Sequence, residues 1–365
     1  MKIFNKVEEL ELMTRIDQFI GLMESNGIDL AIITSGANFR YLVGMYMETF
    51  ERFGALIINA KERTSTLLLP KLDEGKAMQT GIDYIVYEDG EDPKLFLKKV
   101  IGENVYRRIG FENKTPIGYY RVLRSIINSF EDVDIGGLLS ELRITKDDTE
   151  IKNIENAVNA IEYAIQTIKD QLKAGVSEIE IANKIRELIA EQGAEAKDIL
   201  VQSGPNSAIP HWTYSKKKIN EGDVVVIDVS ATYNDYYGDL TRTFFVGKPT
   251  QEFQKIYELV KQAHDEAIEA VRSNILCSEI DRTARNVITN GGYGNYFIHR
   301  TGHGLGLEVH EEPYISQAYQ KPLIEGSVFT IEPGIYLFGK FGVRIESNIA
   351  IKESEKKILD KKLDY

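Results

Sequence analysis

Two strand-rich segments in the C-terminal half carry carboxylates among apolar neighbours, and nothing else in the chain limits its fold as tightly. The first, VVVIDVSATYNDYYGDLTRTFFV, spans residues 224–246, and the second, VFTIEPGIYLFGKFGVRIESNIAI, spans 328–351. Each has β-branched and aromatic ends around a more polar middle, the pattern of a hairpin. A turn centred between Tyr233 and Asn234 predicts Asp228 directly opposite Asp239. A three-residue turn at Phe338-Gly339-Lys340 predicts Glu332 opposite Glu346. Like charges facing each other across a sheet destabilise it, by roughly several tenths of a kcal/mol when exposed and by more when buried. A chain that does this twice needs a neutraliser, and a pair of divalent cations is the simplest one.

Histidine usage points to the same chemistry. The chain has five histidines in 365 residues, and three of them (His299, His303 and His310) fall within HRTGHGLGLEVHEEP, residues 299–313. Gly302, Gly304 and Gly306 let the backbone around His303 turn tightly and come close to its neighbours. Four carboxylates and one imidazole are enough ligands for two ions roughly 3.5–4 Å apart that share a water. An oxygen-rich set with a single nitrogen suits manganese, cobalt or iron, with zinc as an alternative, and is unlike a thiolate-type structural site. Histidines left over from coordination are free to polarise a carbonyl or to carry a proton.

The length predicts two domains. Residues 1–140 read as a small α/β domain. A helical pattern over 8–25 stops at Asn26-Gly27, a buried strand follows at Leu30–Ile33, and a hairpin joins 54–60 to 65–70. Residues 141–365 read as an α+β domain. Apolar residues at 3-4 spacing run from Ile151 to Leu172, with Gly175 as the stop. Ser177 with Glu180 forms a capping box that opens the next helix, and a third helix runs from Pro249-Thr250 to near Asn274. Strand-like segments at 223–229, 241–246, 328–332 and 343–351 predict a mostly antiparallel sheet under these helices.

Composition excludes several function classes. The net charge of -12, from 56 acidic and 44 basic side chains, repels phosphate backbones and argues against a nucleic-acid partner. No stretch approaches the roughly 20 apolar residues that span a bilayer, so no membrane partner is expected. The opening MKIFNKVEELELM turns acidic early, unlike a signal peptide, and the single Cys277 rules out an internal disulfide framework. A cytoplasmic location is the expectation.

Four blocks in this order, SGPNSAIPHW, DVSATYNDYYGDLTRTF, HRTGHGLGLEVHEEP, and IEPGIY followed by VRIE, resemble the pita-bread metallopeptidases: prolidase, aminopeptidase P and methionine aminopeptidase. GIDLAIITSGANFRYLVG and LLLPKLDEG are similar to the smaller domain of the prolidase and creatinase branch. The resemblance implies an α/β creatinase/prolidase-type N-terminal domain over 1–140 and an α+β pita-bread (creatinase/aminopeptidase) catalytic domain over 141–365. It implies two divalent metal ions per subunit, manganese or cobalt first and zinc or iron as alternatives. Their ligands would be Asp228, Asp239, His303, Glu332 and Glu346. Asp239 and Glu346 would bridge the ions, with Asp228 and His303 on either side, and Glu332 would also take the proton from the bridging water. His211 and His310 match the histidines that hold the scissile carbonyl and the tetrahedral intermediate.

His299 and Arg344 match positions that line the pocket or brace the ligands. His264 is left as a surface residue of its helix and Tyr336 as a packing residue, while Trp212 is either a pocket wall or a half-buried aromatic. The implied activity is hydrolysis of the Xaa-Pro bond in a peptide with proline at its second position, by a homodimeric Xaa-Pro dipeptidase. Aminopeptidase P, acting on longer Xaa-Pro peptides, is the alternative within the family. A non-catalytic metal-binding scaffold is the alternative of another class, and retention of both the ligands and the substrate histidines counts against it. One departure is Ser230, where the family has glycine; a local change in the hairpin, without loss of metal, is the expected consequence.

Overall fold

In the computed structural model, which describes residues 6–127 and 129–361, the chain divides into two units between Arg143 and Ile144. The first alternates helices with strands. Its elements are α1 (Lys6–Ser25), β1 (Leu30–Thr34), α2 (Ala37–Val43), β2 (Ala55–Asn59), β3 (Thr64–Pro70), α3 (Glu74–Ala77), β4 (Asp83–Tyr87), α4 (Pro93–Ile101), β5 (Arg108–Phe111), α5 (Ile117–Arg124), β6 (Glu131–Asp134) and α6 (Gly136–Arg143). The sheet order is β4-β3-β2-β1-β5-β6, with β1-β2 and β2-β3 antiparallel and the other pairs parallel. All five residues of β1 are buried, as its unbroken apolar run requires.

The second unit opens with two helices and a three-stranded meander: α7 (Asp148–Lys169), α8 (Glu178–Glu191), β7 (Glu195–Ser203), β8 (Val224–Tyr233) and β9 (Tyr236–Phe245). It continues with α9 (Gln251–Ala270), α10 (Cys277–Asn290), β10 (Gly302–Gly304), β11 (Glu311–Ile315), β12 (Val328–Ile331), β13 (Gly334–Leu337), β14 (Phe341–Arg344), β15 (Ser347–Lys352) and β16 (Glu355–Ile358). Every strand pair in this unit is antiparallel. The capping boxes of α7 (Asp147 with Glu150) and α8 (Ser177 with Glu180) satisfy donors that would otherwise be orphaned at the helix starts.

Strand periodicity then sorts the side chains onto two faces. Val225, Ile227 and Val229 of β8 and Leu240 and Phe244 of β9 pack against Ile161, Ile165 and Ile168 of α7 and Ile181, Ile185 and Ile189 of α8. On the other half, Phe329 and Ile331 of β12 and Ile349 and Ile351 of β15 pack against Ile256 and Val260 of α9 and Ile280 and Ile288 of α10. The residues between them in sequence (Asp228, Asp239, Thr241, Thr330) are thereby turned away from both helix layers. Two apolar faces are consumed by helices, and the polar faces are what remains to build a site.

Three expectations need correction. The β8-β9 turn is the two-residue Asn234-Asp235, both left-handed at φ 48° and 72°, with Tyr233 paired to Tyr236. Asp228 therefore pairs with Thr241, and Asp239 with Ser230, so the two aspartates are diagonal neighbours on one face and not directly opposed. Asn and Asp tolerate the positive φ that this tight turn demands, which shifts the register by two residues. The third helix ends at Ala270, because the chain leaves it to dock the Asn274 N–H on the Leu323 carbonyl at 2.9 Å. The predicted strand over 343–351 is broken after Arg344. Its partner carries Pro333, which has no N–H to donate, and the ladder lapses there. The register on both sides of the lapse still sets Glu332 against Glu346.

Candidate active site

Asp239 on β9, His303 on β10 and Glu346 at the β14-β15 break come together, with one ligand atom from each lying within 4.8 Å of the others. All three are buried. His303 is held by backbone proximity. A Cβ on Gly302 would fall 1.9 Å from the Thr330 carbonyl oxygen, and one on Gly304 would fall 2.3 Å from that of Glu312. Only glycine on either side lets β10 approach its neighbours this closely. The His303 Nδ1 lies 3.1 Å from the Gly304 carbonyl, which can only accept, so Nδ1 carries a proton and Nε2 is left to face the site. Nε2 points at carboxylates, 3.3 Å from Glu332 and 3.9 Å from Asp239. An imidazole nitrogen aimed at two carboxylates supplies the mixed nitrogen and oxygen donor set of a metal site.

The electrostatics agree. Burial, then the charges of Glu346, Asp228 and Glu332, push Asp239 well above the usual carboxylate range. Burial, then Glu332 and Asp228, do the same to Glu346. Burial also works on Glu332, but the hydrogen bond and charge of His303 outweigh it and hold this carboxyl down at about 2. The Asp239 Oδ1 is buried without a hydrogen-bond partner. An orphaned carboxylate oxygen among crowded like charges fits a divalent cation of the hard, oxygen-loving kind.

Asp228 is held by the Arg344 guanidinium in a close ion pair. Arg344 also donates to the Tyr336 hydroxyl at 2.7 Å and, through Nε, to Thr241 Oγ1 at 3.2 Å. The Tyr336 hydroxyl lies 2.9 Å from His299 Nε2, while His299 Nδ1 meets the Arg300 carbonyl at 2.7 Å. The carbonyl fixes the His299 proton on Nδ1, so Tyr336 donates to Nε2. Burial keeps His299 below its ordinary range and pushes the Tyr336 phenol up to about 12, so both are neutral. His299, Tyr336, Arg344 and Asp228 form one chain of hydrogen bonds. Tyr336 is thus a polar link and not only a packing residue.

His310 packs its ring edge-on to His303, with centroids 4.1 Å apart. Desolvation, then the charges of His303 and Arg300, pull it down to about 4. His211 is exposed on the segment after the Gly204–Ala208 turn. His264 is corrected: it is buried, with Nε2 3.0 Å from Ser347 Oγ and Nδ1 3.2 Å from Asp265. Its helix faces β15 at this point, and a histidine on an otherwise apolar helix face gives no hint of that. Ser230 is buried, and its Oγ accepts the Asp198 N–H at 3.2 Å beside a bulge in β7, while the β8-β9 hairpin itself runs without a register shift.

The sequence reading missed Thr241, which donates to Glu346 at 2.7 Å, and Asn348, which hydrogen-bonds the Asp239 backbone. Period-two alternation from Asp239 places Thr241 on the site face, and this was the available signal. Also missed was the buried pair of Lys146 and Glu311, 2.7 Å apart and 3% and 6% exposed. Lys146 has no second carboxylate partner among the described residues. Glu311→Gln is expected to cost about 3–5 kcal/mol by leaving a buried ammonium uncompensated. Urea unfolding checks this, and a loss under about 1 kcal/mol would show that the ammonium finds water instead.

The model of metallopeptidase family M24 matches residues 152–353, more than half of the chain. This chain belongs to that family. It is therefore a metal-dependent hydrolase by class. Residues 15–145 match the creatinase/prolidase N-terminal domain. The chain is 37% identical over 349 residues to the Xaa-Pro dipeptidase of Pyrococcus horikoshii, covering 95% of this chain and 97% of that one. The crystal structure of a prolidase from Thermococcus sibiricus superposes with a TM-score of 0.90 at 38% identity, over 95% of this chain and 96% of the other. An X-Pro aminopeptidase from Thermotoga maritima superposes at 0.84 with 34% identity, over 95% and 98%. No helix among the described residues is long and apolar enough to cross a membrane.

Proposed function

We propose that this chain is a Xaa-Pro dipeptidase, which hydrolyses the bond before proline in a peptide with proline at its second position. The observation that carries this reading is the convergence of Asp239, His303 and Glu346, drawn from separate sheets, with His310 against His303. Asp228, Asp239, His303, Glu332 and Glu346 would hold two divalent ions, with manganese or cobalt preferred over zinc or iron by the oxygen-rich donor set. Bound divalent ions lower the pKa of a shared water, so that hydroxide is available near neutral pH.

The chain's own residues supply the rest. Glu332 takes the proton from the attacking water and returns it to the departing proline nitrogen. His310, neutral at working pH, offers an N–H to the scissile carbonyl as it becomes an oxyanion, and His211 is the second donor to it. The chain from His299 through Tyr336 and Arg344 holds the Asp228 carboxylate in place. The tertiary amide nitrogen of the Xaa-Pro bond has no N–H, so a site that works through carbonyl and carboxylate contacts is suited to it.

The test uses a Xaa-Pro dipeptide and the same sequence extended by two residues, each after chelation and again after manganese or cobalt is restored. Metal-restored cleavage of the dipeptide alone is the expected result. Preference for the longer peptide would instead make the chain an aminopeptidase P, a reading favoured by the likeness to the Thermotoga enzyme. Cleavage of neither, with metal bound, would sink both and leave a binding scaffold. The family resemblance supports a homodimer, which light scattering checks. The buried, unpaired Cys277 supports the cytoplasm, and the charge of -12 supports the absence of a nucleic-acid partner.

A further inference from the structure

The carboxylate of Glu178 lies outside the metal cluster, and none of the roles above uses it. It occupies the first turn of α8 and is wholly buried. Six donors converge on it, three on each oxygen. Oε1 accepts from Ser203 N (2.9 Å), Ser203 Oγ (2.7 Å) and Asn206 Nδ2 (2.9 Å). Oε2 accepts from Ser215 N (2.9 Å), Ser215 Oγ (2.7 Å) and Trp212 Nε1 (3.4 Å). All six belong to the segment from Ser203 to Ser215, the one that carries His211. The start of the helix adds to the hold, since Glu178 N–H and Ile179 N–H donate to the Lys217 and Ser215 carbonyls, each at 3.0 Å.

From the strand side, Gln202 donates to the carbonyls of Pro210 and Trp212, at 2.9 and 2.8 Å. His211 lies between those two residues, and its own side chain is exposed. Among the described residues no hydrogen bond or ion pair holds this side chain, so its place is set by the backbone on either side. The helix dipole and six hydrogen bonds keep Glu178 ionised despite its burial, and its carboxyl lies below the ordinary range although burial alone would raise it.

We propose that Glu178 is the positioning residue for His211: one buried carboxylate ties both ends of the 203–215 segment to α8 and so aims the histidine at the scissile carbonyl. This rests on the function proposed above for His211. A histidine displaced by about 1 Å costs on the order of 10²-fold in rate, so a loose segment is felt in kcat before it is felt in folding.

Trp212 is the only tryptophan in the chain and reports on this segment directly. Glu178→Gln keeps the shape but turns an NH₂ toward three donors. The expected result is unchanged manganese content, a red-shifted Trp212 emission with greater acrylamide quenching, and kcat lowered about 10- to 100-fold. The double variant Glu178→Gln/His211→Ala should be no slower than His211→Ala alone. Ser215→Ala, a milder change, should show the same signature in smaller measure if Glu178→Gln folds poorly. Losses that multiply in the double variant, or kcat retained in both single variants while only the melting temperature falls, would overturn the proposal. If the wild-type protein cleaves no Xaa-Pro peptide, the function proposed above fails, and the kinetic part of this proposal, the aiming of His211, is overturned with it. Trp212 emission and quenching still decide separately whether Glu178 holds the segment.

Discussion

Asp239→Asn and Glu346→Gln will each release the bound divalent metal and lower kcat/KM by at least about 10³-fold, the rate equivalent of losing several kcal/mol of charge stabilisation at the transition state. Asp239 and Glu346 are two of the three residues whose ligand atoms already lie together, and the buried Oδ1 of Asp239 has no protein partner. The same crowding makes a second, opposite effect. In the metal-free protein these carboxyls sit well above their usual range because burial and like charges disfavour ionisation. A folded pKa above the unfolded one stabilises the protein below the unfolded pKa, and that stability is lost as pH rises through the folded pKa.

At neutral pH the metal-free wild type therefore carries a penalty that either neutral variant relieves. In chelator the variants should melt at or above the wild type, and in manganese the order should reverse. Metal loading of the wild type at mildly acidic pH should also release protons, which calorimetry in buffers of different ionisation enthalpy would detect. A variant that stays metal-loaded and active removes that residue from the ligand set. A chelated variant that melts well below the chelated wild type would show that the carboxylates are neutralised by something other than a cation.

His310→Ala should separate chemistry from coordination. Its ring touches His303 but no carboxylate hydrogen-bonds it, so removing it leaves the ligand atoms in place. Metal content should match the wild type while kcat falls about 10²- to 10³-fold, the usual effect of losing one donor to a developing oxyanion. Metal lost in proportion to rate would mean that His310 belongs to the coordination shell and that the division of roles is wrong. Because desolvation and the His303 and Arg300 charges hold His310 at about 4, it stays a neutral donor across the neutral range. The alkaline and neutral limbs of the pH-rate profile should therefore be the same for His310→Gln, which restores an N–H without a titrating ring.

The sheet faces of the candidate site were legible because strand alternation is strict. Once Val225, Ile227 and Val229 are assigned to a helix-covered face, Asp228 has one direction left. The hairpin register was less legible. A shift of two residues keeps every side chain on the same face, so hydrophobic pattern cannot detect it, and only the left-handed Asn234-Asp235 turn decides it. Glu332 and Glu346 were placed correctly because Gly339, at φ 79°, leaves one comfortable centre for their turn.

His264, Glu178 and the Lys146-Glu311 pair were hidden for a different reason. Each is a polar group whose partners lie far along the chain, such as Ser347 for His264 and Ser203 to Ser215 for Glu178. No local period predicts which buried polar residue finds such partners. The sequence by itself determined the metallopeptidase class of this protein and the faces on which its carboxylates lie, because order and alternation act locally. Only the tertiary structure decided the register of the aspartates, the tautomer of His299 and the anchoring of the His211 segment, because each depends on a hydrogen bond closed across the fold.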